Sequence, residues 1–196
     1  MAAALRDAEI VKAMVRQESA IAVVQWSGRD GQELTIPWTR VRTTLDAGRL
    51  ADQAQLMTRP FVLSDTVPAE AIRFALPLFD LVPDCKIRVI DVSGDGTPNS
   101  GSDTRSARNL AERNGVTING IAIESLGLAI TNFYRGAIIT RDGFVITART
   151  HHEYPAARSY ESSALSWVDR HAPVAYRFTQ AARDHPMGLR KNDRIH

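Results

Sequence analysis

Residues 88–101 read RVIDVSGDGTPNSG. An apolar, β-branched run of strand character passes into a loop, and together they gather Asp91, Ser93, Asp95, Thr97, Asn99 and Ser100. Several chemistries use such an oxygen-rich strand end. Gly94 and Gly96 begin a G-x-G-x-x-G phosphate cradle, but the third glycine position holds Asn99, and Asp95 between the glycines repels phosphate. An EF-hand-type loop would take Asp91, Ser93, Asp95 and Gly96 as its early positions, but Ser102 stands where a bidentate glutamate is needed. On one face of an extended strand those three oxygen ligands would also spread over ~13 Å, too far for one ion. A plain turn is the third reading: glycine and proline bend the chain, and Asp and Asn cap backbone groups. Asp91, inside the apolar strand, then needs hydrogen-bond partners, because an unpaired buried carboxylate is costly. The fourth is a divalent-cation site built from several strand ends. Mg²⁺ takes six oxygens and usually keeps some waters, so hydroxyls from another loop would help; Thr66 is placed for this by its topology.

Outward from this stretch the chain alternates strand and helix patterns. AAALRDAEIVKAM has helical spacing, with Leu5, Ile10, Val11 and Met14 near one stripe and no N-cap ahead of it. Residues 19–27 and 32–38 form a hairpin about the turn GRDG, with Pro37 suited to an edge strand. A helix is expected over 43–57 with Leu45, Leu50 and Leu56 inward. Another is expected over 67–81, capped by Asp65 or Thr66 and bent or shortened by Pro77. Strands over 85–93, 116–123 and 142–148 flank a helix over 102–115, capped by Ser102 or Asp103 and stopped by Gly115. Residues 125–138 read as a short helix with a loop, and 154–170 have helical content. The last ~25 residues show no period and are expected to be loosely ordered. The pattern predicts an α/β fold: a doubly wound, mostly parallel sheet with helices on both faces and one antiparallel edge hairpin. Ligands in such folds bind beyond the carboxyl ends of the strands, where both Asp95 and Thr66 fall.

Composition narrows the classes. The 196 residues suit one domain, and 44% apolar content supports a sizeable core. A net charge of +2 argues against a dedicated nucleic-acid binder, and RKNDR near the end reads as a solvated tail. No apolar run approaches the ~18 residues of a membrane span, and MAAALRDAEIVKAM lacks the apolar core of a secretory signal. Cys85 is the lone cysteine, so no internal disulfide forms, and it reads as a small buried group. His151 and His152 beside Glu153 point apart in a strand and lack a third ligand. No G-x-S-x-G elbow occurs. Trp26 and Trp38 flank the hairpin and are expected to stack across it.

VIDVSGDG followed by a polar loop resembles the fourth-strand motif of von Willebrand factor A-like domains. RVIDVSGDG, TINGIAI, NFYRGAII with DGFV, and the hairpin AIAVVQWSG with IPWT are similar to a bacterial family of unknown function within that class. The resemblance implies a metal-ion-dependent adhesion (MIDAS) site with ligands from a DxSxS motif, a Thr and an Asp. The Asp matches Asp95 and the Thr matches Thr66, although LSDTVPAEA departs from the usual glycine-rich setting. DxSxS, which belongs to the central strand, has no match, so the domain is expected to lack its N-terminal strand and to show a gap or an exposed inner sheet edge. The expected organisation is an incomplete vWA-like domain over 1–157 and a divergent helix with a loose tail over 158–196. The expected function is protein binding, not catalysis, through Mg²⁺ or another divalent cation held weakly or not at all. Asp95 and Thr66 would be the direct ligands, with Asp91 and Ser93 behind them. The alternatives are a metal-dependent phosphoryl-transfer enzyme using Asp91 and Asp95, or a non-functional remnant. The resemblance also implies an exported, periplasmic full-length form, and an uncovered edge would encourage self-association.

Overall fold

In a computed structural model, the structure describes residues 1–58, 60–61, 65–98, 103–124 and 127–149, and the backbone of 174–181. It holds α1 (Ala8–Arg16), β1 (Ala20–Trp26), β2 (Gln32–Arg40), α2 (Thr44–Leu56) and α3 (Pro68–Ala75). These are followed by β3 (Ile87–Gly94), α4 (Thr104–Arg113), β4 (Val116–Ile123), α5 (Ala129–Phe133), β5 (Val145–Ala148) and β6 (Val174–Ala181). The strands form one sheet in the order β2-β1-β6-β3-β4-β5. Among the described residues only the β1–β2 hairpin is antiparallel; β1–β6, β6–β3, β3–β4 and β4–β5 are parallel. This is the doubly wound α/β fold that the alternating pattern predicts.

Helices cover both faces because the strands bury both. Ala20 and Trp26 of β1, Ile90 and Val92 of β3, and Ile118 and Ala122 of β4 pack with α3, α4, α5 and Tyr134. The opposite pleat, Ile21 and Val23 of β1 and Val89 of β3, packs with α1 and α2. Gly120 admits Tyr134: a Cβ there would lie 2.5 Å from the ring. After Ala75 the third helix tightens into a 3-10 stretch over Leu76–Leu81, where Pro77 cannot donate the α-helical hydrogen bond.

The central strand corrects the sequence reading. Residues 174–181 fall in the tail expected to be loosely ordered, yet they form β6 between β1 and β3. The register runs from Ala20↔Ala175 to Trp26↔Ala181 on one side, and from Ile87↔Val174 to Ser93↔Gln180 on the other. The expected gap and uncovered inner edge are therefore absent: the backbone groups of β1 and β3 that a gap would strand are paired with β6. The expected helix over 154–170 and residues 182–196 lie outside the described residues, as do His151, His152 and Glu153.

Four local expectations also change. The chain does not open inside a continuous helix: a 3-10 turn over Ala4–Arg6 precedes α1, and Asp7 caps α1 by accepting from the Glu9 and Ile10 amides. In α2 only Leu50 of the three leucines is buried; Leu45 and Leu56 are 60% and 79% exposed, and the buried stripe is Ala47, Leu50 and Ala51. Five- and six-residue spacings cannot share one face of a 3.6-residue helix, whereas three and four can. Neither Asp65 nor Thr66 is the N-cap of α3; Val67 holds that position, with Pro68 following. Trp38 does not stack on Trp26: it packs on Phe79 at 5.5 Å and donates its indole N–H to the Leu78 carbonyl at 2.7 Å. Among the described residues no helix is long and apolar enough to cross a membrane.

Candidate functional site

β3 delivers the quoted loop to the carboxyl edge of the sheet. Asp91 and Ser93 lie on one pleat of the strand and are buried, the strand ends at Gly94, and Asp95 and Gly96 bend away half-buried. Asp91 faces its register partner on β4, and its Oδ1 accepts from Asn119 Nδ2 at 2.9 Å. Asn119 Oδ1 in turn accepts the Phe144 amide at 3.3 Å, just before β5. A buried carboxylate is thus used to lock β3, β4 and the entry to β5 together. That satisfies the requirement that Asp91 find a partner, and it places Asp91 one pleat below the loop.

Thr66 reaches the same place from elsewhere in the chain. The Val67 amide donates to the Ser27 carbonyl at 3.0 Å, at the carboxyl end of β1. Thr66 Oγ1 lies 3.1 Å from the point a Cβ on Gly96 would occupy, at the end of β3. Because β6 runs between β1 and β3, the segment 65–67 crosses the carboxyl end of β6. A side chain at position 96 would push Thr66 away, so the glycine permits the close approach of the two loops. The structure thus brings Thr66 to the Asp95–Gly96 bend, with Ser93 next along the strand and Asp91 deeper. Asn99, Ser100 and Ser102 lie outside the described residues.

The neighbouring strand end holds residues that the sequence reading missed. Glu124 follows β4, is 5% exposed, and accepts the Thr131 amide at 2.7 Å in the first turn of α5. Thr131 Oγ1 lies 2.9 Å from Thr147 Oγ1 on β5. A lone glutamate directly after the apolar run GIAI was the available signal. Ser27, at the end of β1, is a second missed residue; its buried hydroxyl lies against Gly31 and has no hydrogen-bond partner among the described residues.

The donor set fits a divalent cation only in part. Thr66 and Asp95 supply one hydroxyl and one carboxylate, whereas Mg²⁺ takes six oxygens. The central strand, β6, ends in Thr179, Gln180 and Ala181, which bring no carboxylate. Among the described residues no group of three His, Cys, Asp or Glu side chains could hold a metal ion. Cys85 is buried just ahead of β3, and burial pushes its thiol pKa up, partly offset by the Arg40 guanidinium. It is therefore a poor thiolate ligand or nucleophile.

A doubly wound α/β domain with an oxygen-rich bend at one strand end is thus the class that fold and site define. Residues 1–159 match the family described as Protein of unknown function (DUF1194), and the chain belongs to that family. No curated protein matches the chain. Three solved bacterial structures are similar. The conserved hypothetical protein BatB from Bacteroides thetaiotaomicron is 15% identical, with a TM-score of 0.47, over 83% of this chain and 88% of that one. An aerotolerance-related membrane protein from Bacteroides fragilis, carrying multiple mutations to serine, is 15% identical at 0.43, over 90% and 79%. An uncharacterized membrane-spanning protein from Vibrio fischeri is 17% identical at 0.33, over 80% and 81%.

Proposed function

We propose that the chain is a vWA-like protein-binding module whose contact surface is the carboxyl edge of the sheet around Asp95 and Thr66. The observation that carries this reading is the approach of Thr66 to the Asp95–Gly96 bend across the end of β6. Two loops distant in sequence converge there with a carboxylate and a hydroxyl. A bound divalent cation would supply a bridge to a carboxylate of the partner. Asp95 and Thr66 would hold it directly, Ser93 stands next to them, and Asp91 stiffens the strand beneath through Asn119. With so few protein ligands the cation is held weakly, and most of its coordination comes from water.

The binding reading is favoured over phosphoryl transfer by the state of Asp91. An enzyme would need a second carboxylate beside the ion as nucleophile or base. Asp91 is 1% exposed and already accepts from Asn119.

The test is a calorimetric titration of the purified chain with Mg²⁺ and Mn²⁺, alongside Asp95→Ala. Weak saturable binding that Asp95→Ala removes is the expected result. Binding that Asp95→Ala leaves unchanged overturns the site. Hydrolysis of a generic phosphate ester that stops on chelation overturns the assignment to binding alone.

A further inference from the structure

We infer that the groove between α1 and α2 is a docking site for an acidic amphipathic helix of a partner protein. The groove has a volume of about 680 Å³ and is lined by α1, the turn before it and the first part of α2. Its apolar lining comes from Leu5, Ala8, Val11 and Val15, and Gly48 contributes bare backbone from α2.

Gly48 is the first observation. It sits in the interior of α2, where glycine costs a helix about 1 kcal/mol relative to alanine. Its φ is not positive, and a Cβ there would meet nothing within 4 Å. Neither backbone conformation nor packing among the described residues requires a glycine. What glycine provides is close access to the α2 backbone from the groove, which a second helix needs when two helices pack tightly.

Charge is the second, independent observation. Arg6, Lys12 and Arg16 line the same groove and are exposed. Arg6 is bonded to Asp52 at 2.6 Å, which leaves Lys12 and Arg16, one helical turn apart, lining the groove with no ion pair among the described residues. Cations strung along one wall complement a row of carboxylates along a helix flank better than a single headgroup. They also repel the basic RKNDR stretch of this chain's own tail. The exposed Leu45 and Leu56 lie near one line along α2, since eleven residues make just over three whole turns.

The experiment uses the full chain and two synthetic helical peptides that share a leucine–alanine face, one flanked by glutamates and one by lysines. Fluorescence anisotropy should show saturable binding of the glutamate peptide and little of the lysine peptide. Gly48→Leu, which fills the groove, should weaken it at least tenfold. Lys12→Glu with Arg16→Glu should reverse the preference. Gly48→Ala should raise the thermal midpoint, showing that the fold tolerates the site, while still weakening the peptide. Equal binding of both peptides, no saturable binding, or indifference to Gly48→Leu overturns the proposal. So does sedimentation showing a dimer that Gly48→Leu dissociates, which would make a second copy the occupant. Binding of anionic vesicles in place of the peptide would do the same in favour of a lipid surface.

Discussion

The carboxyl ends of β3 and β4 lie side by side and carry the same kinds of group, yet they are held in different ways. At the end of β4, Glu124 is buried and spends an oxygen on the first turn of α5, while Thr131 and Thr147 bond to each other. Its polar atoms close a local circuit within about 25 residues of chain, and the arrangement secures α5 to the sheet. At the end of β3, the buried carboxylate, Asp91, is one pleat lower and likewise structural. Beyond it Asp95 stands half-buried at a bend, met by Thr66 from a different part of the chain and flanked by a strand from the far end of the sequence. A carboxylate at a strand end is not by itself a site. What distinguishes the two ends is that a segment distant in sequence reaches the bend at Gly96, whereas at the end of β4 the first turn of α5 takes up the glutamate.

That contrast can be broken at the platform both ends share. Tyr176→Pro removes an amide donor from the middle of the sheet, in a strand paired on both sides. It should destabilise the fold by at least about 3 kcal/mol, the scale for proline inside a regular element, and broaden or abolish the thermal transition. A midpoint unchanged by this substitution would show that β6 contributes nothing to the sheet. On the β4 side, Gly120→Ala forces a methyl against the Tyr134 ring and should cost about 1–3 kcal/mol in denaturant unfolding. Glu124→Ala strands the buried Thr131 amide and should cost about 1–3 kcal/mol. Asp95→Ala sharpens the comparison: the chain should still unfold in one cooperative transition, while the response to divalent cations disappears. The smallest effect lies far from either strand end. The carboxyl of Asp46 is held below its ordinary value of 3.8 by the Thr43 hydroxyl and the Arg42 amide. A lowered folded-state value favours the fold above the unfolded value, and that contribution is lost as pH falls through the folded one. Asp46→Asn should therefore lower stability slightly at neutral pH, where that contribution is present, and flatten the stability profile on the acid side of 3.8.

Much of this was legible in the residues. The alternation of β-branched runs with capped helices gave the fold class, because each signal is local: Pro77 ends α3, Gly115 takes φ +65° after α4, and Asp103 caps α4 by accepting the Arg105 amide. The convergence of Thr66 with the Asp95 bend was also legible, since both fall at carboxyl ends of parallel strands. β6 was not. Val174, Tyr176 and Phe178 do alternate with Ala175, Arg177 and Thr179, but the run is short. Its place depends on β1 and β3, whose partners in register lie more than eighty residues away in sequence. Glu124 escaped for a different reason: a single strand-end glutamate becomes informative only once α5 is seen to dock on it. The inward leucines of α2 were misjudged by residue type, where the alanines at helical spacing carried the signal.

The most direct test of the functional account is an amide-resolved NMR titration of the chain with Mg²⁺ up to about millimolar levels, the range of weak extracellular oxygen sites. The account predicts saturable shifts confined to Thr66, Asp95 and Gly96 at the end of β3, with the amides of Glu124 and Thr131 at the end of β4 unmoved. Shifts that cluster at Glu124 and Thr131, or that remain at Thr66 and Gly96 in Asp95→Ala, would contradict it.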